Sequence, residues 1–453
     1  MTRRKSNSLK AGKSALMHEV GSTGLLGAGI LIRGGRLIDP AQNVDGLYDV
    51  LLRDGAVAEI GAPGTLKDAE ETINAKGLVV APGLIDLHVH LREPGKAYKE
   101  TIATGTAAAA AGGFTSVCAM PNTTPVNDSP AITRWMQDPE RGAVVNVFPI
   151  AAATIASGGE RIPDYRGLQE AGAVAVSDDG RPILDDRVMR QALVTANRFG
   201  MPVIQHAEDT RLSNNAPMHE GIVSFRLGMR GQSAESEWRL VERDIRLASA
   251  TEARLHVAHI STAKAMELVK HGKANGVKVT AEVCPHHFMF TDEDCATYDA
   301  RYKMNPPLRT AEDREALLRG VEDGSLDAIA TDHAPHALFE KEVEFDKAAF
   351  GITGLEIALA AALTSFHHAR KVPLMRLVAM LSTNPARIVN LAGRGTLAVG
   401  SVADVTLFDP KKKWTYDVTK TRSKARNCPY DGMQFTGRPM ATIVGGRVVE
   451  SNI

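Results

Sequence analysis

The stretch "GLVVAPGLIDLHVHLREPG", residues 77–95, begins apolar and β-branched, ends on Pro-Gly, and carries two histidines one residue apart near its close. An apolar run of this length, bounded by glycine and proline, reads as a buried strand. Residues i and i+2 of a strand point to the same side, so His88 and His90 face one point at the strand's end, where one metal ion is able to take both imidazoles. Pro94 and Gly95 then turn the chain away.

Working outward, seven more runs of strand length follow: "FTSVCAM", "NVFPIAA", "AVAVSD", "PVIQH", "ARLHVAH", "VKVTAEV" and "LDAIAT". Between them lie longer Ala-, Leu- and charge-rich stretches of helical character, such as "AITRWMQDPE" and "AEDREALLRGVEDG". Eight such units predict an α/β fold, a (β/α)8 TIM-type barrel over residues 81–393, with functional residues at the carboxyl ends of the strands. Two β-rich segments flank it, residues 28–80 with "GILIRGGRLIDP" and "DVLLRDGAVAEIG", and residues 394–453 with "VADVTLFDP" and "MATIVGGRVVE". Strands broken by DG and GG turns predict one small β-sandwich built from both chain ends. "STNPARIVNL", 382–391, reads as an N-capped helix leading back to it. Residues 1–27 hold Arg3, Arg4, Lys5, Lys10 and Lys13 against the single acid Glu19, with much Ser and Gly, and read as a disordered extension. A transit peptide has a similar composition, but neither an amphipathic helix nor a cleavage signal accompanies it here.

Composition narrows the function. The 53 basic and 53 acidic residues cancel, which argues against nucleic acid or an anionic membrane surface as partner and leaves a small molecule. No run reaches the ~18 apolar residues of a membrane span. The four cysteines, Cys118, Cys284, Cys295 and Cys428, show no CxxC spacing, so a reducing, cytoplasmic compartment is expected.

The residues closing the predicted strands carry the chemistry. Strand one ends at His88 and His90, strand four runs into Asp178 and Asp179, strand five ends at His206, strand six at His259, and strand eight delivers Asp332. One histidine at a strand end is ordinarily a hydrogen-bonded structural residue; this many on one rim make a metal site. Imidazole and carboxylate without thiolate suit Zn²⁺ or another borderline divalent ion. The set exceeds one tetrahedral shell, so two ions sharing a carboxylate are expected, with a bridging water deprotonated near neutral pH. The aspartate of "TDHAPH" has a second role, taking that proton and passing it to a leaving nitrogen. Arg92, Asn122, Asn305 and His336 lie on the same rim, and an arginine fork favours a substrate bearing a carboxylate. Taken singly, Arg92 also fits a surface ion pair, and Asn122 and Asn305 fit turns beside proline.

Together "DLHVHLREPG", "MPNTTP", "SDDG", "HAED", "NPPLR" and "TDHAPH" resemble, in order and spacing, the signatures of the cyclic amidohydrolases, most closely the class I dihydroorotases. The resemblance runs from residue 28 over nearly the whole chain. It implies one zinc on His88, His90, Asp179 and Asp332 and a second on Asp179, His206 and His259. Many relatives place a carboxylated lysine where this chain has "AVAVSDDGRP", so the match is to the subgroup bridging with aspartate. Asp178 and Asp179 both stand at that point, and the family interval to His206 favours Asp179. The resemblance further implies that Arg92, Asn122 and His336 hold a substrate carboxylate, that Asn305 and the backbone at Phe350 and Gly351 contact a pyrimidine ring, and that Asp332 is the general acid/base. The implied reaction is the reversible cyclisation of N-carbamoyl-L-aspartate to L-dihydroorotate in pyrimidine synthesis. A homodimer, and room for association with aspartate transcarbamoylase, are implied as well.

Two rivals stand beside this reading. A hydantoinase, dihydropyrimidinase or allantoinase is disfavoured by the aspartate at strand four and by Arg92. A catalytically silent scaffold for aspartate transcarbamoylase is disfavoured by the complete ligand set. His286 and His287 in "CPHHF" are expected to pack behind the ligands, and Glu208 in "HAED" to orient one of them.

Overall fold

The computed structural model describes residues 29–67 and 69–453, so the expected extension over residues 1–27 lies outside the described residues. The described residues contain eighteen strands: β1 (Ile30–Asp39), β2 (Val44–Arg53), β3 (Ala56–Gly61), β4 (Glu71–Asn74), β5 (Val79–Pro82), β6 (Leu84–Val89), β7 (Phe114–Ala119), β8 (Asn146–Ala152), β9 (Ala175–Ser177), β10 (Val203–Gln205), β11 (Met218–His219), β12 (Gly231–Gln232), β13 (Leu255–Val257), β14 (Val279–Val283), β15 (Ala328–Ile329), β16 (Val405–Thr415), β17 (Gln434–Val444) and β18 (Arg447–Ser451).

Strands β6, β7, β8, β9, β10, β13, β14 and β15 form one parallel sheet in chain order. A parallel bridge from Val89 to His333, with the His90 N–H donating to the His333 carbonyl at 2.9 Å, closes it. This is the predicted barrel, and all eight predicted strands contribute to it. Alternation along the strands sorts the core. Val117, Ala151, Val176, Val203 and Val257 belong to the large core with the helices, whereas Cys118, Ile150, Ala175, Ile204 and Ala328 pack with Ala386 and Ile388. The helix Ala311–Asp323 falls within the helical stretch "AEDREALLRGVEDG", and the Thr310 hydroxyl caps it by accepting from the Asp313 N–H at 3.2 Å.

The remaining long strands make the sandwich in the order β18-β17-β16-β5-β1-β2-β3, with β4 on β1. β16 runs antiparallel to β5, joining the two ends of the chain, and Ile32, Leu37, Val50, Val80, Val405 and Ile443 share one buried core. Asp54-Gly55 and Gly445-Gly446, all at positive φ, make the tight hairpins β2–β3 and β17–β18. Gly34-Gly35 differs from the expected turn: it lies inside β1 as a bulge, and Gly35 is needed there because a Cβ would meet Val80 Cγ2 at 2.4 Å. The sandwich also fixes the first barrel strand, since the Leu84 N–H donates to Thr406 Oγ1 at 3.1 Å and the Gly83 N–H to the Asp404 carbonyl at 2.9 Å.

"STNPARIVNL" departs from expectation. Ser382 and Thr383 sit inside a helical run spanning Leu374–Ile388 and do not cap it. Their hydroxyls find distant acceptors instead, Ser382 donating to the Gly83 carbonyl and Thr383 to the Gly395 carbonyl, each at 2.7 Å.

Among the described residues no helix is long and apolar enough to cross a membrane.

Candidate active site

Every predicted ligand lies at or just past the end of its strand, on one rim. His88 ends within β6 and His90 follows it, and both Nε2 atoms aim at Asp179, which follows β9: 3.2 Å from His88 to Oδ1 and 3.4 Å from His90 to Oδ2. On the other side Asp179 Oδ1 stands 3.8 Å from His206 Nδ1 and 3.6 Å from His259 Nε2. Asp332 Oδ1 closes the group at 3.0 Å from His90 Nε2 and 3.5 Å from His88 Nε2. Asp178 points elsewhere, accepting from the Thr154 N–H at 2.9 Å and from the Thr154 hydroxyl. The aspartate lying between the two sets of imidazoles is therefore Asp179.

Arg92, His259 and Asp332 hold φ of 62°, 29° and 44°, the left-handed region that side chains rarely occupy. Such strain is retained where surrounding contacts over-determine it. At Asp332 the neighbours are pinned: the Thr331 N–H donates to Asp86 Oδ1 at 3.1 Å and the His333 N–H to Thr331 Oγ1 at 3.0 Å.

The imidazoles are oriented from behind. Glu282, next to the end of β14 and fully buried, takes His88 Nδ1 at 2.9 Å and His256 Nε2 at 3.0 Å. Burial alone would raise its carboxyl; the hydrogen bonds from His256 and His88 outweigh that and bring it to about 2. Glu208 does the same for His206, receiving Nε2 at 2.9 Å, and against its burial it too is held at about 2 by that imidazole. Asn122 Oδ1 takes His90 Nδ1 at 2.9 Å. Three ring nitrogens thus have fixed partners, which leaves the opposite nitrogens as lone pairs aimed at the centre.

These residues fit a metal. His88 Nε2 and Asp179 Oδ1 are buried without a hydrogen-bond partner, an arrangement costly in a protein unless a cation satisfies both. Donor atoms lie within 4.8 Å of one another in each of the overlapping groups His88–His90–Asp179, His88–His259–Asp332 and Asp179–His206–His259. Burial raises the carboxyls of Asp179 and Asp332, and the surrounding imidazoles, His88 foremost, outweigh it and hold both ionised.

A cavity of about 540 Å³ opens over this centre, and His90, Arg92, Asn122, Asn305, His336 and Phe350 are on its wall. Arg92 is buried, its Nε donating to the Pro335 carbonyl at 3.1 Å and its Nη2 3.4 Å from His336 Nε2. Asn305 Nδ2 donates to Glu208 Oε2 at 2.8 Å. Gly351 departs from the expected ring contact through its backbone: its N–H donates to the Lys303 carbonyl at 3.0 Å, and its carbonyl accepts from Lys341 Nζ and Asn427 Nδ2, each at 3.0 Å. Phe350 is half-buried on the cavity wall, with Lys303 Nζ 4.5 Å from its ring centre. His286 and His287 pack behind the site, where burial keeps both neutral, and His287 Nε2 donates to the Pro306 carbonyl at 3.0 Å, bracing the Asn305 loop.

Sequence reading missed Glu282, Lys99, Lys341 and Glu340. Glu282 had a signal, an acid inside the apolar run "VTAEV"; Lys99 sits on a loop and Glu340 and Lys341 on the short helix Leu338–Lys341, and the Lys99–Glu340 pair joins positions far apart in sequence.

A model of the family described as "Dihydro-orotase-like" matches residues 77–265. The chain is 50% identical over 418 residues to the dihydroorotase of Solibacter usitatus, covering 92% of this chain and 97% of that one. It is 48% identical over 421 residues to the dihydroorotase of Geobacter metallireducens, covering 93% and 99%. Among solved structures it is similar to the L-hydantoinase (dihydropyrimidinase) of Arthrobacter aurescens, with a TM-score of 0.83 at 26% identity over 94% of this chain and 97% of that one. The dihydropyrimidinase of Brevibacillus agri gives 0.81 at 25% identity, covering 94% and 95%. Barrel, sandwich and a rim of imidazoles and carboxylates define a metal-dependent cyclic amidohydrolase. Within that class, the chain belongs to the dihydroorotase family.

Proposed function

We propose that this enzyme interconverts L-dihydroorotate and N-carbamoyl-L-aspartate, with two zinc ions per subunit, one on His88, His90, Asp179 and Asp332 and one on Asp179, His206 and His259. The observation that carries the choice of substrate is Arg92: a buried guanidinium on the cavity wall whose contacts are a carbonyl and an imidazole, with no carboxylate at ion-pair distance among the described residues. A buried cation without an anionic partner is costly, and a substrate carboxylate supplies that partner. Arg92, His336 and the free amide nitrogen of Asn122 hold that carboxylate; Asn305 and Phe350 face the ring.

When bound, the ions supply Lewis-acid polarisation of the ring amide carbonyl and acidify the attacking water. In hydrolysis the ionised Asp332 takes the proton of that water as the new C–O bond forms. It then delivers the proton to the ring nitrogen as the C–N bond breaks, giving the ureido and the new carboxylate groups. Cyclisation retraces these steps. Glu282 and Glu208 keep the imidazole lone pairs directed while charge develops.

The division of the chain near residues 80 and 393, a homodimer, an association with aspartate transcarbamoylase and a cytoplasmic location complete the reading; four buried free cysteines favour a reducing compartment.

The test is conversion of N-carbamoyl-L-aspartate by the zinc-reconstituted chain. L-dihydroorotate should appear, vanish from the products on chelation, and return with zinc. A metal-replete protein with two zinc ions and no conversion in either direction overturns the reading.

A further inference from the structure

His336 meets contacts that demand opposite protonation of the same ring atom. Its Nδ1 lies 3.2 Å from Lys99 Nζ, an ammonium that only donates, and 3.3 Å from Glu340 Oε2, a carboxylate that only accepts. Its Nε2 lies 3.4 Å from Arg92 Nη2, another donor. Burial, then the Arg92, Lys99 and Lys341 charges, hold the imidazole neutral, so one nitrogen carries the proton and the other does not. With the proton on Nδ1, Glu340 and Arg92 are satisfied and Nε2 has no hydrogen to offer. With it on Nε2, Lys99 is satisfied and Nε2–H has a hydrogen to donate to a carboxylate lying beside Arg92.

We infer that His336 is a two-state tautomeric gate for the substrate carboxylate, and that Lys99 is the positioning residue that selects its binding-competent state. The inference rests on the reading that Arg92 and His336 hold that carboxylate. In the empty pocket the inferred state is Nδ1–H, with Nδ1–H donating to Glu340 and Nε2 accepting from Arg92 while the Phe350 backbone lies against the same ring. An arriving carboxylate takes over the Arg92 donors and needs a second donor from His336; the proton then resides on Nε2 and Lys99 donates to Nδ1. Lys99 is built for this work. It is buried, and its Nζ is 2.6 Å from Glu340 Oε1, so the same ammonium that supports Nδ1 also occupies the carboxylate that competes for it. Glu340 is itself fixed by the Ala337 N–H at 3.0 Å. The loop bearing Lys99 and the helix bearing Glu340 are joined again at the surface, where Tyr98 and Phe339 stack with ring centres 6.1 Å apart. Without Lys99, Glu340 is free to hold Nδ1–H and His336 stays in the state that offers the substrate no donor.

The experiment combines ¹⁵N imidazole spectra of the zinc-loaded full chain with kinetics of three variants. In the wild type, His336 should carry its proton on Nδ1 without ligand and on Nε2 with L-dihydroorotate at equilibrium with N-carbamoyl-L-aspartate. Lys99→Met should raise KM for L-dihydroorotate about tenfold with kcat changed less than threefold, and should keep the Nδ1–H signature with substrate present. Lys99→Arg, which keeps a donor, should restore most of the KM. Adding Glu340→Gln to Lys99→Met should recover part of it by removing the competing acceptor. The same tautomer with and without substrate in the wild type overturns the gate, whether or not the variants fold. A KM within twofold of wild type for Lys99→Met, or a double variant worse than the single, overturns the role of Lys99. Arg92→Met separates the two levels: if it leaves KM unchanged, the carboxylate reading has failed; if it raises KM while Lys99→Met does not, only this inference has.

Discussion

The two ends of the cavity are built differently. At the metal end, the ligands of β6, β9, β10, β13 and β15 are carried on or within three residues of strands whose ladder fixes their spacing. At the opposite end, Arg92, Asn305, His336 and Phe350 stand on loops, held by bonds to partners remote in sequence: Arg92 to Pro335, His336 to Asn427, Asn305 to Glu208. On the proposed function, the strand-borne end provides the reaction common to cyclic amidohydrolases and the loop-borne end the choice of substrate. This explains how the chain keeps a hydantoinase-like fold at 26% identity yet belongs to the dihydroorotase family.

Breaking the metal end should abolish chemistry. Asp332→Ala removes the proposed ligand and proton carrier together, and turnover of L-dihydroorotate should fall by about a thousandfold or more, measured by its ultraviolet absorbance. Breaking the far end should cost selectivity and leave the metals. Arg92→Met should lower kcat/KM for L-dihydroorotate about a hundredfold at unchanged zinc content. Glu282→Gln weakens the brace behind His88, and zinc affinity in a chelator competition should drop about tenfold while KM changes little.

A further effect is on stability. Asp244 is buried, one oxygen accepting from Arg243 Nε at 2.7 Å and the other without a partner, and burial raises its carboxyl to about 7. The native state therefore keeps a proton that the unfolded chain, with an ordinary carboxyl, gives up near pH 4. Between about pH 4 and 7 the unfolded state binds fewer protons, so this group makes stability fall as pH rises, by at most about 1.4 kcal/mol per pH unit. Asp244→Asn should flatten that slope in urea unfolding without altering KM.

The same contrast governs what could be read in advance. "LIDLHVH" carries its ligands in a period-2 pattern that survives any loop geometry, and the eight strand ends could be aligned from the sequence alone. Asp178 against Asp179 required coordinates, because two adjacent carboxylates at a strand's end differ only in which way each points. Gly34-Gly35 looked like a hairpin and is a bulge, since a close approach to Val80 and a turn both select glycine. Ser382 and Thr383 looked like a helix cap because their acceptors, at Gly83 and Gly395, are set by tertiary packing. Lys99 and Glu340 are 241 positions apart and carry no local pattern that pairs them.

The most direct measurement is a substrate competition: kcat/KM of the zinc-loaded chain for L-dihydroorotate, hydantoin and dihydrouracil, repeated with Arg92→Met. A preference for L-dihydroorotate of about a hundredfold or more, largely lost in the variant, is the expected result. Equal or better turnover of hydantoin or dihydrouracil by the wild type would contradict it, and would make the far end of the cavity something other than a carboxylate site.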